Sequence, residues 1–450
     1  MDKDRITIIG GGFAGAEAAW AAANSGLQVV LYEMRPTKMT SVHRSGDIAE
    51  IVCSNSFKSN LLTNASGIMK QEMRLLGSLT MEVAEKYRVP AGEALAVDRE
   101  KFAHEMTLRI VSHPLITVIR EEIQFLPVDR PLIVATGPLT SESLAQSLQS
   151  TLGGESLSFY DAVAPTVTLD SLDLSKVFRA SRRGRTSGLS IQDGSDEPED
   201  YLNCPFTREE YICFREALVA AELAPVHNPD DEKIRFFEMC LPIEEIASRG
   251  ERTMSYGPLK PVGLTDPRTD KRPWAVVQLR QENREGTLWG LVGFQTRLKW
   301  SEQKRVFQMI PGLQNAEFVR YGVMHRNTYV NSPHILDMTL QVKETPGLYL
   351  AGQMTGVEGY LESAAMGILA GINAGRELLG KAAVVPPATT VIGSLCRYLV
   401  ETDPTRFSPM NANFGVVPEL ESPERDKREK ARKKGVRALE AMGIFRNQLL

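Results

Sequence analysis

Ile6 to Glu33 reads ITIIGGGFAGAEAAWAAANSGLQVVLYE, and it sets the architecture of the chain. Ile6 to Ile9 is a β-branched run suited to a buried strand. Gly10, Gly11, Gly12 and Gly15 then form a GxGxxG turn, Ala14 to Ala23 is a helix of small residues, and Val29 to Tyr32 is a second strand ending in Glu33. The chemistry of dinucleotide binding needs each of these parts. The first glycine makes the tight turn, the second lets backbone N–H groups approach a pyrophosphate, and the third lets helix and strand pack closely. The positive end of the helix faces the phosphates, and a carboxylate at the tip of the second strand suits a ribose hydroxyl pair. The motif itself leaves open whether the dinucleotide is FAD or NAD.

Composition sets the wider limits. The chain has 450 residues, 42% hydrophobic and 24% charged, which is globular composition with room for about two or three domains. MDKDR runs straight into the first strand without an apolar leader, and no run reaches spanning length. A cytoplasmic protein with no membrane association is therefore expected. A net charge of −4 gives no general nucleic-acid footprint, so RNA contact would need local basic patches. The five cysteines, Cys53, Cys204, Cys213, Cys240 and Cys396, are odd in number and contain no CxxC pair. That argues against a disulfide scaffold, a zinc ribbon and a dithiol redox motif, and no metal site is expected.

Beyond Glu33, Arg35 could face phosphates, and Ala49 to Cys53 reads as a short strand leading into the polar turn SNSFKSN. Ile68 to Tyr87 and Asp98 to Val111 have helical spacing, the latter capped by Asp98. LIVATG, Leu132 to Gly137, is a buried strand ending in a glycine turn that suits a cofactor contact, the other reading being an ordinary αβ connection. Arg179, Arg182, Arg183 and Arg185 read as a solvated face, or as phosphate contacts if the substrate is RNA. Cys213 is expected to be a buried structural thiol on a helix from Thr207 to Leu223. In FFEMCLPIEEIASRG, Pro242 fits the first turn of a helix, which places Cys240 just ahead of a positive helix end that favours a thiolate. The other reading of Cys240 is a buried loop cysteine. Trp274 to Leu279 and Leu288 to Phe294 are strands of a β-rich middle module, followed by a basic helix from Trp300 to Gln308 and a strand from Arg320 to Val330. LYLAG, Leu348 to Gly352, opens GQMTGVEGYLESAAMGILAGINAG, where small residues allow close helix packing and Tyr360 is placed to cover a flavin. Arg425 to Arg437 holds eight basic residues in thirteen positions, mainly a solvated helix face, with RNA or partner binding as the alternative.

The fold expected is α/β: a Rossmann-like FAD-binding domain built from residues 1–162 and 321–450, with a mixed α/β substrate- or RNA-facing domain, 163–320, inserted between them.

GGGFAG, EMRP, CSNSF, ATGPLTS, DYLNCP, FFEMCLPIE, GPLKPVGL, VGFQTRLKWSEQKRVF, MHRNTYVNSP, AGQMTGVEGYLESAAMG and PMNANFG follow one another along the chain. In this order they resemble the folate- and FAD-dependent tRNA (uracil-5-)-methyltransferases and, more distantly, the larger GidA-type tRNA-modification flavoproteins. The resemblance implies C5 methylation of a T-loop uridine of tRNA, with the carbon drawn from 5,10-methylenetetrahydrofolate, FAD as carrier and reductant, and NADH or NADPH reloading the flavin. It implies no obligate protein partner. By position it makes Cys240 the nucleophile at uracil C6 and gives Cys53 a base or protective role near the flavin. Gly10, Gly11, Gly12, Gly15, Glu33 and Arg35 become adenosine and pyrophosphate positions, and Gly137, Gly352, Gln353, Gly359 and Tyr360 flavin-side positions. Two departures stand out: Met239 precedes Cys240 where the family usually has glycine, and Gly184 to Glu199 is longer than the usual connection. A ribosomal RNA uridine as target, and a flavin-bearing RNA-binding protein without turnover, are the competing readings.

Overall fold

The computed structural model describes residues 5–40, 42–153, 157–162, 164–182, 200–224, 241–322 and 324–449. Arg183, Arg185, Met239, Cys240 and the stretch from Gly184 to Glu199 lie outside them.

A five-stranded parallel sheet forms the base, in the order Leu348–Leu350, Leu132–Val134, Arg5–Ile9, Gln28–Tyr32, Ile116–Ile119. Ile8 lies opposite Leu31 on one side and Ile133 on the other. Helices cover the sheet, which is why its strands read as continuous apolar runs. The strand Leu348–Leu350 returns from far along the chain to complete the edge beside Leu132–Val134.

The central strand is flanked by the helix Phe13–Asn24, and against that helix lies Tyr360–Leu378. These two approach through small residues: a Cβ added to Gly371 would sit 2.5 Å from the carbonyl oxygen of Ala18. Close backbone approach is the physical reason for the small-residue composition of both segments.

The middle of the chain builds a six-stranded antiparallel sheet in the order Phe178–Arg179, Tyr201–Phe206, Ala275–Gln281, Leu288–Leu291, Thr166–Thr168, Phe318–Arg320. Its own core contains Phe206, Tyr211, Phe214, Trp289, Phe294 and Phe307. A ribbon of Leu157–Ala162 and Met324–Tyr329, paired antiparallel, carries the chain out to this sheet and back. The stretch expected as one strand from Arg320 to Val330 is therefore two, one in each assembly.

Three further expectations are corrected. Ile68 to Tyr87 is two helices, Ala65–Leu75 and Leu79–Lys86, because Gly77 adopts φ +77° and Ser78 caps the second by accepting from Met81 N–H. Cys213 is exposed, since the helix Arg208–Val219 buries Tyr211, Phe214 and Leu218 on the opposite face. Ala49 to Cys53 is not a strand, for reasons given with the site, and part of the polar cluster after it, Ser56–Ser59, pairs with Ala94–Val97 instead.

The tail helix Lys427–Asn447 buries Lys434, Gly435, Ala438, Met442 and Phe445 and packs on Ala65–Leu75. Much of its basic charge is met locally: Lys430 and Lys434 pair with Glu419, Arg432 with Glu429, and Lys433 with Glu424. Arg179 and Arg182 likewise turn into the inserted sheet, Arg179 over the Trp289 ring and Arg182 donating to Gln278 and the Lys260 carbonyl. No helix among the described residues is long and apolar enough to cross a membrane.

A buried carboxylate joins the tail half of the chain to the front. Glu72 accepts N–H bonds from Val391 (2.8 Å) and Ile392 (2.9 Å), at the start of the helix Val391–Glu401. Burial outweighs these two bonds and raises its pKa to about 8. The folded chain thus keeps a proton that the unfolded chain loses near about pH 4.3, so stability from this site is present at low pH and is lost as pH rises through about 8. Between about pH 5 and 8 the thermal midpoint of the wild-type protein is expected to fall more steeply than that of Glu72→Gln. Parallel profiles in differential scanning fluorimetry would contradict this.

Candidate functional site

Where the parallel strands end, a cleft of about 1240 Å³, counting its open mouth, runs between the glycine turns. Gly10, Gly12, Glu33, Arg35, Cys53, Gly137, Gly352, Gln353, Gly359 and Tyr360 all line it. Gly11 and Gly15 do not line it: Gly11 donates its N–H to Glu33, and Gly15 packs against the backbone of Gly10. Residues expected at the site from distant parts of the chain therefore meet in one place, while Cys240 lies outside the described residues.

The first turn is built by necessity. Gly10 has φ +103° and an added Cβ would lie 2.6 Å from the carbonyl oxygen of Ala135. Gly12 caps the helix Phe13–Asn24, and a Cβ there would meet nothing within 4 Å, so the space above it is open. Helix N-termini carry N–H groups without intrahelical acceptors, and the start of this helix, Gly12 to Ala14, lines the cleft.

Glu33 accepts from Gly11 N–H (2.7 Å), Arg35 N–H (2.9 Å) and Arg35 Nε (2.9 Å). Burial by itself would raise its pKa, but the Arg35 charge and these hydrogen bonds outweigh it and hold the carboxyl below the usual range. Arg35 also pairs with Glu50 at 3.0 Å, and its side chain is 3% exposed. Its guanidinium is therefore committed to two carboxylates, so that it fixes Glu33 at the cleft wall instead of projecting freely towards a phosphate.

At the other end, Tyr360 begins the second helix. Its hydroxyl oxygen accepts from Val52 N–H (3.0 Å) and Cys53 N–H (2.9 Å) and lies 2.9 Å from Cys53 Sγ. With two N–H groups on the acceptor side, the phenolic proton is directed at sulfur. Burial first, and the neighbouring Cys53 next, push the phenol well above its ordinary pKa, which keeps it a donor. The ring packs 4.7 Å from Phe13, between centroids, and 6.1 Å from Phe57.

The Cys53 segment explains the missing strand. Ala49 sits at φ +54°, and the backbone of 51–53 is satisfied by side chains, not by a neighbouring strand. Arg99 donates to the carbonyls of Ile51 (3.1 Å), Val52 (3.3 Å) and Cys53 (2.9 Å), and Arg320 to that of Val52 (2.8 Å). Arg99 also grips both oxygens of Glu282, at 2.7 and 3.0 Å. Arg280 reaches Ser54 Oγ (2.8 Å) and Asn55 Oδ1 (2.9 Å). Burial by itself would raise the Glu282 pKa, yet Arg99 and then Arg280 and Arg320 lower it. Burial and the adjacent Arg99 bring Arg320 down to about 10. The inserted sheet thus holds the cysteine segment through Glu282, Arg280 and Arg320.

Arg99, Glu282, Arg280 and Arg320 are the site residues that sequence reasoning missed. Arg99 was visible only as the first residue after the Asp98 cap, and 183 positions separate it from Glu282. No local pattern announces such a pair.

The fold and cleft together define a dinucleotide-binding α/β protein whose cofactor site is assembled from both ends of the chain. The family model described as GIDA, glucose inhibited division protein A, matches residues 5–382. The GidA structure from Aquifex aeolicus superposes with a TM-score of 0.70 at 18% identity, covering all of this chain and 74% of that one, a likeness of fold. The relative named Methylenetetrahydrofolate--tRNA-(uracil-5-)-methyltransferase TrmFO from Symbiobacterium thermophilum is 56% identical over 446 residues, 99% of this chain and 98% of that one. Its namesake from Pelotomaculum thermopropionicum is 54% identical over 450 residues, 100% of both. The chain belongs to the GidA family and, within it, to the TrmFO methyltransferases.

Proposed function

We propose that this chain methylates C5 of a uridine in the T-loop of tRNA, taking the carbon from 5,10-methylenetetrahydrofolate, with FAD in the cleft and NADH or NADPH as reductant. The observation that carries this reading is the full-length identity to relatives of that name, together with a cleft suited to the flavin cofactor.

The residues present fit FAD. Space is open above Gly12 and Gly137, where a Cβ would meet nothing within 4 Å. The helix start at Gly12 would take the pyrophosphate, Glu33 the ribose hydroxyls, and Gly352, Gln353, Gly359 and Tyr360 the flavin end. When bound, the flavin supplies a reducible carrier for the one-carbon unit.

The remaining chemistry falls to the chain. Cys240 supplies the thiolate that adds to uracil C6 and makes C5 nucleophilic. The segment after it is firmly seated: Glu244 accepts from Thr296 Oγ1 (2.9 Å) and Arg297 N–H (2.8 Å). The helix it opens is Ile243–Ser248 with Pro242 as its N-cap, shorter than the expected dipole argument needs. Cys53 removes the C5 proton, with Tyr360 donating to its sulfur and Arg99 fixing its backbone.

The test is flavin-loaded protein with methylenetetrahydrofolate, NADH or NADPH, and an unmodified tRNA transcript, the product mapped by nuclease digestion. Methylation confined to the T-loop in the wild type, lost by at least roughly a thousandfold in Cys240→Ala, is expected. Product elsewhere in the tRNA, no product at all, or product undiminished in Cys240→Ala would overturn the reading.

A further inference from the structure

At the edge strand Phe318–Arg320 of the inserted sheet, an aromatic ladder opens to solvent. Trp300 is 63% exposed and lies parallel to Tyr321, with centroids 5.5 Å apart and planes at 15°. Tyr321 is in turn stacked on Phe318 at 5.5 Å and 18°, and Phe318 meets the buried Phe307 at 6.4 Å. One face of the indole is thus rigidly backed, and its exposure belongs to the other face and edges.

The remaining tryptophans differ. Arg109 sits over Trp20, Arg208 and Arg252 over Trp274, and Arg179 over Trp289, which is 1% exposed. Among the described residues no guanidinium is placed over Trp300. A large ring held flat at the surface, backed by two further rings, is a stacking platform.

Its position ties it to the chemistry. Arg320, between Val319 and Tyr321, donates to the carbonyl of Val52, next to Cys53. Arg44 donates to the carbonyl of Val319 at 3.3 Å, and its neighbour His43 lines the cleft. The ladder is therefore tied by hydrogen bonds to the segment that carries Cys53 and to the loop whose His43 lines the cleft. Around Trp300 stand Lys299, Lys304 and Arg305; Lys299 pairs with Glu222 and Arg305 with Glu302, both at the surface. Exposed pairs of this kind are weak and open readily to a phosphate.

We propose that Trp300 is a stacking subsite for an unpaired RNA base, with Lys299, Lys304, Arg305 and Arg44 facing the flanking phosphates. It rests on the reading of RNA as substrate. Stacking suits a loop base and not a paired stem, because only an unpaired base can offer its face to the indole.

The test uses the flavin-loaded full chain and two probes, a T-arm hairpin RNA and its stem as a blunt duplex. Trp300→Leu is expected to bind the hairpin roughly ten- to a hundredfold more weakly than wild type, and Trp300→Phe within roughly threefold of it. Duplex affinity is expected to be unchanged in both. Hairpin RNA is also expected to quench part of the tryptophan fluorescence of the wild type, a component absent from Trp300→Phe, which reads the contact without relying on the leucine variant. If wild type binds the hairpin and Trp300→Leu equals it, or if hairpin and duplex weaken equally, the subsite is overturned while the RNA reading stands. If wild type binds neither RNA, that reading fails and the subsite with it.

Discussion

Arg99→Ala is expected to destabilise the protein by about 3–5 kcal/mol and to reduce methyl transfer to near background. Arg99 is 9% exposed and its partner Glu282 is 6% exposed, so truncation leaves a carboxylate buried without its main counter-charge. It also strips donors from three successive carbonyls at Ile51, Val52 and Cys53. The cysteine would lose its fixed backbone, and with it the geometry against Tyr360. Arg99→Lys keeps the charge but not the planar fork, so partial rescue of stability with little rescue of activity is expected. The double variant Arg99→Met/Glu282→Leu separates the two roles. Removing both charges is expected to recover most of the stability, since a buried pair can be replaced by apolar groups, yet activity is expected to stay low because the carbonyls of Ile51 and Cys53 remain ungripped. Urea unfolding alongside the methylation assay gives both quantities. An active double variant would show that Arg99 acts only as a structural pair.

Gly367→Ala is expected to cost about 3 kcal/mol or more and to release the flavin. An added Cβ would lie 2.7 Å from the Cα of Ala14 and nearer still to its carbonyl oxygen, which is backbone and cannot rotate away. The helices Phe13–Asn24 and Tyr360–Leu378 would have to separate. Each begins at a wall of the cleft, one at Gly12 and the other at Gly359, so their separation widens the site itself. Stability and cofactor retention are therefore linked through one small residue. Denaturant midpoints and the flavin absorbance of purified protein check this, and a yellow variant of unchanged midpoint would contradict it.

Much of this framework could be read from the residues. The turn at Gly10 to Gly15, the carboxylate of Glu33 and the glycine-led helix at Tyr360 are local patterns whose physics lies within a few residues, and they placed strands and helices nearly as observed. What could not be read depends on partners far away. Ala49 to Cys53 has the composition of a strand, but its hydrogen bonds go to Tyr360, Arg99 and Arg320. Cys213 has apolar neighbours in sequence yet faces outward, because helix phase and not neighbourhood decides burial. The helical spacing from Ile68 to Tyr87 runs on through Gly77, where only the left-handed backbone and the Ser78 cap show the break. Arg35 was legible as a basic residue beside the glycine turn, but its two carboxylate partners were not.

The most direct measurement follows the carbon. Flavin-loaded protein is incubated with tRNA transcript, NADH and methylenetetrahydrofolate labelled in its methylene group, and the nucleosides are separated. Label in 5-methyluridine is predicted, dependent on the flavin and unaffected by omitting S-adenosylmethionine. Unlabelled 5-methyluridine, or label transferred only when S-adenosylmethionine carries it, would contradict the assignment.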